Sequence, residues 1–210
     1  MPFSLPPLYP ILDASCLPEF ERGAYLMRVV CELEEAGVTL LQYRNKHMQA
    51  DIPHDAKVMK MGATRALKLI MNDSPEAAVI AGFDGVHVGQ TDVSPAEART
   101  IVGPDRIVGV STHNRAQLEA ADKLPVDYIA IGPVFATLSK LNPDPVVGLD
   151  GVREARALTS KPLVAIGGIT FENARAVLDA GADSVAVISA MFGPGKDSAK
   201  IAKDFLRNFR

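Results

Sequence analysis

Apolar residues along the chain gather in two alternating patterns. One is a short unbroken run, such as Val164-Ala165-Ile166 or Val185-Ala186-Val187-Ile188. Such runs are too short for a helix and lack the alternation of a half-exposed strand, so they suit parallel strands covered on both faces. The other pattern spaces apolar residues three or four apart and stops at a glycine. Ala174, Val177, Leu178 and Ala180 followed by Gly181 are one example, and Tyr25, Leu26, Val29, Val30, Leu33 and Ala36 followed by Gly37 are another. This is the signature of an amphipathic helix with a left-handed C-terminal residue.

Taken in order, the runs predict strands at Leu8–Asp13, Val38–Arg44, Lys68–Asp73, Asp84–Asp92, Arg106–Thr112 and Val126–Phe135, with two more inside Leu163–Ala190. Helices are predicted between them: over roughly Pro53–Ala66, from Pro75, in SPAEARTIV, NRAQLEAADKL and GLDGVREARAL, and finally over Ala199–Phe209. The segment SPAEARTIV opens with a serine cap, a proline at the first helical position and a glutamate at the third, a strong helix start. Eight strand–helix alternations with short connections predict a single α/β domain over residues 1–210, a closed (β/α)8 TIM barrel with an irregular lead-in at 1–7. The rhythm breaks once, in the Pro/Gly/Asn-rich stretch 136–148. Pro10 is an awkward residue within the first strand.

Composition narrows the function. The 210 residues are 48% hydrophobic, enough for one large core, and a net charge of -3 gives no reason to expect nucleic acid or an acidic membrane as partner. No apolar run is long enough to span a bilayer and the N-terminus lacks a signal pattern. Cys16 and Cys31 make neither a disulfide framework nor a four-ligand metal site. A cytoplasmic protein acting on small molecules is the expectation, with a homo-oligomer left open.

In a closed barrel the strand C-termini converge on one mouth, so polar residues there are the candidates for chemistry. Gln42, Arg44 and Lys46 end the second strand and alternate, which turns all three the same way. Two cations and an amide suit a diphosphate, which Arg44 can grip in bidentate fashion. Asn72 and Asp73 end the third strand and Asp92 follows the fourth. Two carboxylates with phosphate oxygens form an all-oxygen site that favours Mg2+ over zinc. Each aspartate alone also has a plain structural use as a helix cap, next to Ser74 or Ser94.

Ser111 ends the fifth strand and, with no partnered base, reads as a hydrogen-bond donor. Thr137, Ser139 and Lys140 lie in the long loop after the sixth strand and suit phosphate oxygens. The Gly167-Gly168 pair after the seventh strand allows close approach of backbone amides to a ligand, and Ser189 after the eighth adds a hydroxyl. Of the histidines, His54 reads as surface and His87 as a hydrogen-bonded structural residue. His113, just past the fifth strand, is the one placed to act as acid or base.

The segments QYRNK (42–46), ND (72–73), DGVHVGQTD (84–92), GVSTH (109–113), GPVFATLSK (132–140), AIGGI (165–169) and AGADSVAVISA (180–190) together resemble the thiamine-phosphate synthase family along nearly the whole chain. The resemblance implies a transferase of thiamine biosynthesis that joins 4-amino-5-hydroxymethyl-2-methylpyrimidine diphosphate to a thiazole phosphate and releases diphosphate. It implies that Gln42, Tyr43, Arg44, Asn45, Lys46, Asn72, Ser111 and Lys140 bind the pyrimidine diphosphate. Thr137, Leu138, Ser139, Gly168, Ile188 and Ser189 would hold the thiazole phosphate, and Asp73 and Asp92 would bind Mg2+. Arg44, Lys46, Lys140 and Ser111 are the implied catalytic residues, in a dissociative reaction through a pyrimidine cation.

Ser139 stands where the family usually has threonine, LYPILDAS replaces a more regular first strand, and two prolines fall within 141–147. A thiazole tautomerase on the same barrel, using His113, and a non-catalytic thiamine phosphate binder are the rival readings. The tautomerase has no use for Gln42, Arg44 and Lys46 together with the Asp73/Asp92 pair and Lys140. The binder should have lost one of those ligands, and none is missing.

Overall fold

The computed structural model describes residues 4–46, 49–137 and 144–209. Eight parallel strands close on themselves in the order β1-β2-β3-β4-β5-β6-β7-β8. They are β1 (Leu8–Asp13), β2 (Leu40–Arg44), β3 (Lys68–Asn72), β4 (Gly85–Val88), β5 (Ile107–Thr112), β6 (Tyr128–Ile131), β7 (Leu163–Ile166) and β8 (Ser184–Val187). The helices around them are α1 (Arg22–Glu35), α2 (Ile52–Gly62), α3 (Pro75–Ala81), α4 (Pro95–Val102), α5 (Arg115–Asp122), α6 (Gly148–Leu158), α7 (Phe171–Asp179) and α8 (Ser198–Asn208). The predicted barrel is the fold observed.

Two cores follow from strand alternation. One face of each strand points outward to the helices, where Leu8, Leu12, Leu41, Met71, Val86 and Val185 pack with Leu26, Leu33, Ala174 and Phe205. The other face fills the barrel with Tyr9, Ile11, Leu40, Ile70, Tyr128 and Val164. The Tyr128 ring fits because its neighbour across β5 is a glycine: a Cβ on Gly109 would lie 2.0 Å from Tyr128 Cζ.

Several predicted elements run on too far, each for a local reason. The helix expected to reach Ala66 stops at Gly62, where α1 crosses so closely that a Cβ would sit 2.9 Å from Met27 Sδ. Ala63 turns extended and Glu34 Oε2 accepts the next free amide, Thr64 N, at 3.0 Å. The β4 run ends at Val88 because Gly89 N turns to donate to Asp92 Oδ2 at 2.7 Å. After β6 the chain leaves the sheet: Val134 N donates to Ile166 O and Phe135 N to Gly167 O, both at 2.9 Å, tying this loop to the end of β7.

Candidate active site

A cavity of about 760 Å³ opens at the C-terminal ends of the strands. Gln42, Arg44, Lys46, Asn72, Asp73, Asp92, Ser111, Thr137, Gly168, Ile188 and Ser189 all line it. Residues drawn from seven strand ends thus meet at one mouth, as the barrel geometry requires.

The helix-cap use of the two aspartates is ruled out by their neighbours. Ser74 Oγ accepts from Ala77 N and Ser94 Oγ from Glu97 N, each at 3.2 Å, so α3 and α4 are capped by serine. Asp73 is left with φ 65, a left-handed backbone unusual for a residue with a Cβ, held by its N–H donating to His87 O at 2.8 Å. Its carboxylate meets Lys46 Nζ at 2.8 Å and lies in hydrogen-bonding reach of Asp92. Burial pushes the Asp73 carboxyl above its ordinary range and Asp92 adds to this, while Lys46 opposes it. Two carboxylates forced together form an all-oxygen donor set suited to a hard divalent cation that leaves coordination positions for water and phosphate. Among the described residues no group of three or more His, Cys, Asp or Glu side chains gathers for a metal, so such an ion would rest on this pair and its substrate.

Arg44 is paired with Asp13 at the end of β1, its register partner across the sheet. Burial alone would raise the Asp13 carboxyl, but hydrogen bonds from Ser15 and the charge of Arg44 carry it below its usual range. Asp13 is a site residue that reading the sequence missed. Its position at the C-terminal end of a strand was the available signal.

The pleat of β2 turns the side chains of two of the expected residues away from the mouth. Tyr43 and Asn45 alternate with Gln42, Arg44 and Lys46, and their side chains leave the mouth. The Tyr43 hydroxyl lies behind the strand on Asp55, with Arg22 Nη2 at 3.4 Å and Asn45 Nδ2 donating to it at 3.1 Å. Arg22 grips the fully buried Asp55 through Nε and Nη2, at 2.5–3.0 Å. These groups fasten α1 and α2 to β2 and so support Gln42 and Arg44 from outside the barrel. Leu138, Ser139 and Lys140 lie outside the described residues.

Across the ring, β7 is followed by Gly167 and Gly168, with φ 102 and φ 63. Neither tolerates a side chain: a Cβ on Gly168 would lie 2.4 Å from Ala136 O and 2.8 Å from Phe135 Cβ. Lys196, in the loop after β8, also lines the cavity and its Nζ donates to Ser189 O. This wall of amides and hydroxyls therefore has a cation at its edge. The signal for it was the lysine of PGK after the last strand. His113 donates from Nδ1 to Gly132 O at 2.7 Å, and its Nε2 faces Asp144 Oδ2 at 3.5 Å.

His87 occupies the floor. Burial depresses its pKa from 6.5 to about 4, so the folded protein keeps it neutral while the unfolded chain takes up a proton below pH 6.5. Its contribution to stability is complete above pH 6.5 and is lost as pH falls from 6.5 to about 4, roughly 3 kcal/mol over that window. Urea unfolding of wild type and His87→Gln at several pH values is expected to show this extra slope in wild type alone. Parallel curves would contradict it.

The family model described as thiamine monophosphate synthase (TMP-TENI) matches residues 8–191. A thiamine-phosphate synthase of Koribacter versatilis is 55% identical over 204 residues, covering 97% of this chain and 95% of that protein. One from Caldicellulosiruptor saccharolyticus is 37% identical over 195 residues, with 91% and 88% covered. Among solved structures, a thiamine phosphate pyrophosphorylase from Pyrococcus furiosus superposes with a TM-score of 0.82 at 32% identity, over 96% of this chain and 94% of that one.

Proposed function

The chain belongs to the thiamine monophosphate synthase family, and from that footing we propose how its residues divide the work. It is a transferase that condenses 4-amino-5-hydroxymethyl-2-methylpyrimidine diphosphate with thiazole phosphate, giving thiamine phosphate and diphosphate. The observation that carries the assignment of roles is a single cavity lined on one side by Arg44, Lys46, Asp73 and Asp92 and on the other by Gly167, Gly168 and Ser189. In an eight-strand ring β3 and β7 are four places apart. Two phosphorylated heterocycles thus enter from opposite walls and meet over the floor.

Arg44, Lys46 and Asn72 hold the diphosphate, with Lys140 from the loop after β6. Lys46 leaves an ion pair with Asp73 that is partly exposed (43% and 28%), a contact worth at most about 1 kcal/mol, so changing partners costs little. Asp13 keeps Arg44 aimed while the rest of its guanidinium fork stays available. Asp73 and Asp92 would hold magnesium, which when bound supplies positive charge against the diphosphate. The C–O bond to diphosphate breaks first, and the electron pair leaves on the phosphate oxygen facing Arg44, Lys46 and Lys140. The aminopyrimidine delocalises the resulting cation, and the thiazole nitrogen, held by its phosphate among Gly168, Thr137, Ser139 and Ser189, attacks to form the C–N bond. No protein nucleophile takes part: Ser111, whose Oγ lies 2.8 Å from His87 Nε2, serves as a hydrogen-bonding group and not as an attacking one.

Asp73→Ala is expected to raise the magnesium concentration for half-maximal activity by at least about tenfold. A titration that overlays wild type would remove the metal from this pair. The tautomerase reading has no use for Arg44, Lys46, Asp73 and Asp92, which line the same cavity. Among the described residues no helix is long and apolar enough to cross a membrane. Free Cys16 and Cys31 suit a reducing cytoplasm.

A further inference from the structure

Five side chains from five strands join in one unbroken line beneath the cavity. Gln42 Nε2 donates to Tyr9 OH at 3.0 Å, and Tyr9 OH meets Tyr128 OH at 2.9 Å. Tyr128 OH lies 2.9 Å from His87 Nδ1, and His87 Nε2 lies 2.8 Å from Ser111 Oγ. The line starts on β2 and passes through β1, β6 and β4 to end on β5. Its two ends are the amide and the hydroxyl already assigned to the pyrimidine diphosphate.

The line has a direction. An amide nitrogen only donates, so the Tyr9 oxygen receives at the Gln42 end. The Tyr9 hydroxyl is buried, and among the described residues its other partner is Tyr128, so its proton goes there. Tyr128, accepting from Tyr9, passes its own proton to His87 Nδ1. A neutral imidazole that accepts at Nδ1 carries its hydrogen on Nε2, and that hydrogen faces Ser111 Oγ. The serine oxygen is thereby occupied from behind and its own proton turns to the cavity.

We propose that this relay fixes Ser111 as a hydrogen-bond donor toward the bound pyrimidine, with Tyr9, His87 and Tyr128 as positioning residues that act through it. The proposal rests on the reading that Ser111 faces the pyrimidine. It makes the pocket select a heterocycle presenting a bare ring nitrogen at that point, because a ring C–H or N–H there would confront a hydroxyl hydrogen. Reversing the relay would turn Ser111 into an acceptor and lose this selection. The stacking of His87 on Tyr128, with ring centroids 5.5 Å apart, and the space left by Gly109 keep the middle of the relay in place.

The direction is testable without substrate. The chain has four histidines, and the His87 signals of ¹⁵N-histidine-labelled protein are identified by their absence from His87→Gln. Wild type is expected to carry hydrogen on Nε2 and a bare Nδ1; hydrogen on Nδ1 would mean the opposite direction and overturn the proposal. This result stands apart from the synthase reading, whose failure would appear as absent diphosphate release. The consequence for binding is tested by a double-mutant cycle. Tyr128→Phe is expected to lower kcat/KM for the pyrimidine diphosphate about tenfold and to leave the KM for thiazole phosphate within about twofold. Adding Tyr128→Phe to Ser111→Ala should cost nothing further, whereas losses that multiply would show that Tyr128 does not act through Ser111. If Tyr128→Phe does not fold, Tyr9→Phe takes its place in the same cycle with the same criterion.

Discussion

Arg44→Ala is expected to lower kcat/KM for the pyrimidine diphosphate by about a thousandfold, the scale of losing a preorganised donor where transition-state charge develops. The same change should destabilise the fold. Asp13 is 4% exposed and Arg44 is its ionic partner, so removing the guanidinium leaves a buried carboxylate held, among the described residues, by Ser15. Breaking a buried pair from one side costs about 3–5 kcal/mol. The two effects separate in a second variant. Asp13→Asn added to Arg44→Ala removes the unpaired charge and is expected to restore most of the stability but none of the rate. Recovery of rate in the double variant would mean that Arg44 serves the fold and not the diphosphate.

Gly168→Ala attacks the opposite wall. Its φ of 63 is a left-handed conformation that costs a residue with a Cβ about 1–2 kcal/mol. The added methyl carbon would also sit 2.4 Å from Ala136 O, a backbone atom that cannot rotate away. The loop holding Thr137 must then separate from the end of β7, to which Phe135 N is bonded. The KM for thiazole phosphate is expected to rise by at least about a hundredfold, the loss of two or more hydrogen bonds to a charged group. The KM for the pyrimidine diphosphate should stay within about twofold. Steady-state kinetics varying each substrate in turn would reveal the split, and an equal rise in both values would mean that the glycine turn belongs to the barrel as a whole.

What could be read in advance followed from periodicity. Eight apolar runs alternating with helical spacing are enough to name the barrel, and the barrel converts strand ends into a list of candidate residues. The alternation of Gln42, Arg44 and Lys46 gave the correct inward set. Tyr43 and Asn45 belong to the QYRNK motif, but the same pleat sends their side chains outward. Strand ends at Val88 and Ile131 depend on contacts made beyond the apolar run itself: Gly89 N turns to the Asp92 carboxylate, and Val134 N and Phe135 N turn to the end of β7. Asp13 stands at a strand end, but its role lies in the register that sets it opposite Arg44, which the sequence does not show. The floor relay is harder still, since residues 9, 42, 87, 111 and 128 share no motif and meet only when the ring closes.

The measurement that bears most directly on the two-walled site is diphosphate release from the wild-type protein. With magnesium and both phosphorylated substrates present, one diphosphate should appear for each thiamine phosphate formed. Thiazole phosphate turned over with no diphosphate released, or bound with no turnover at all, would contradict the account and favour a tautomerase or a non-catalytic binder.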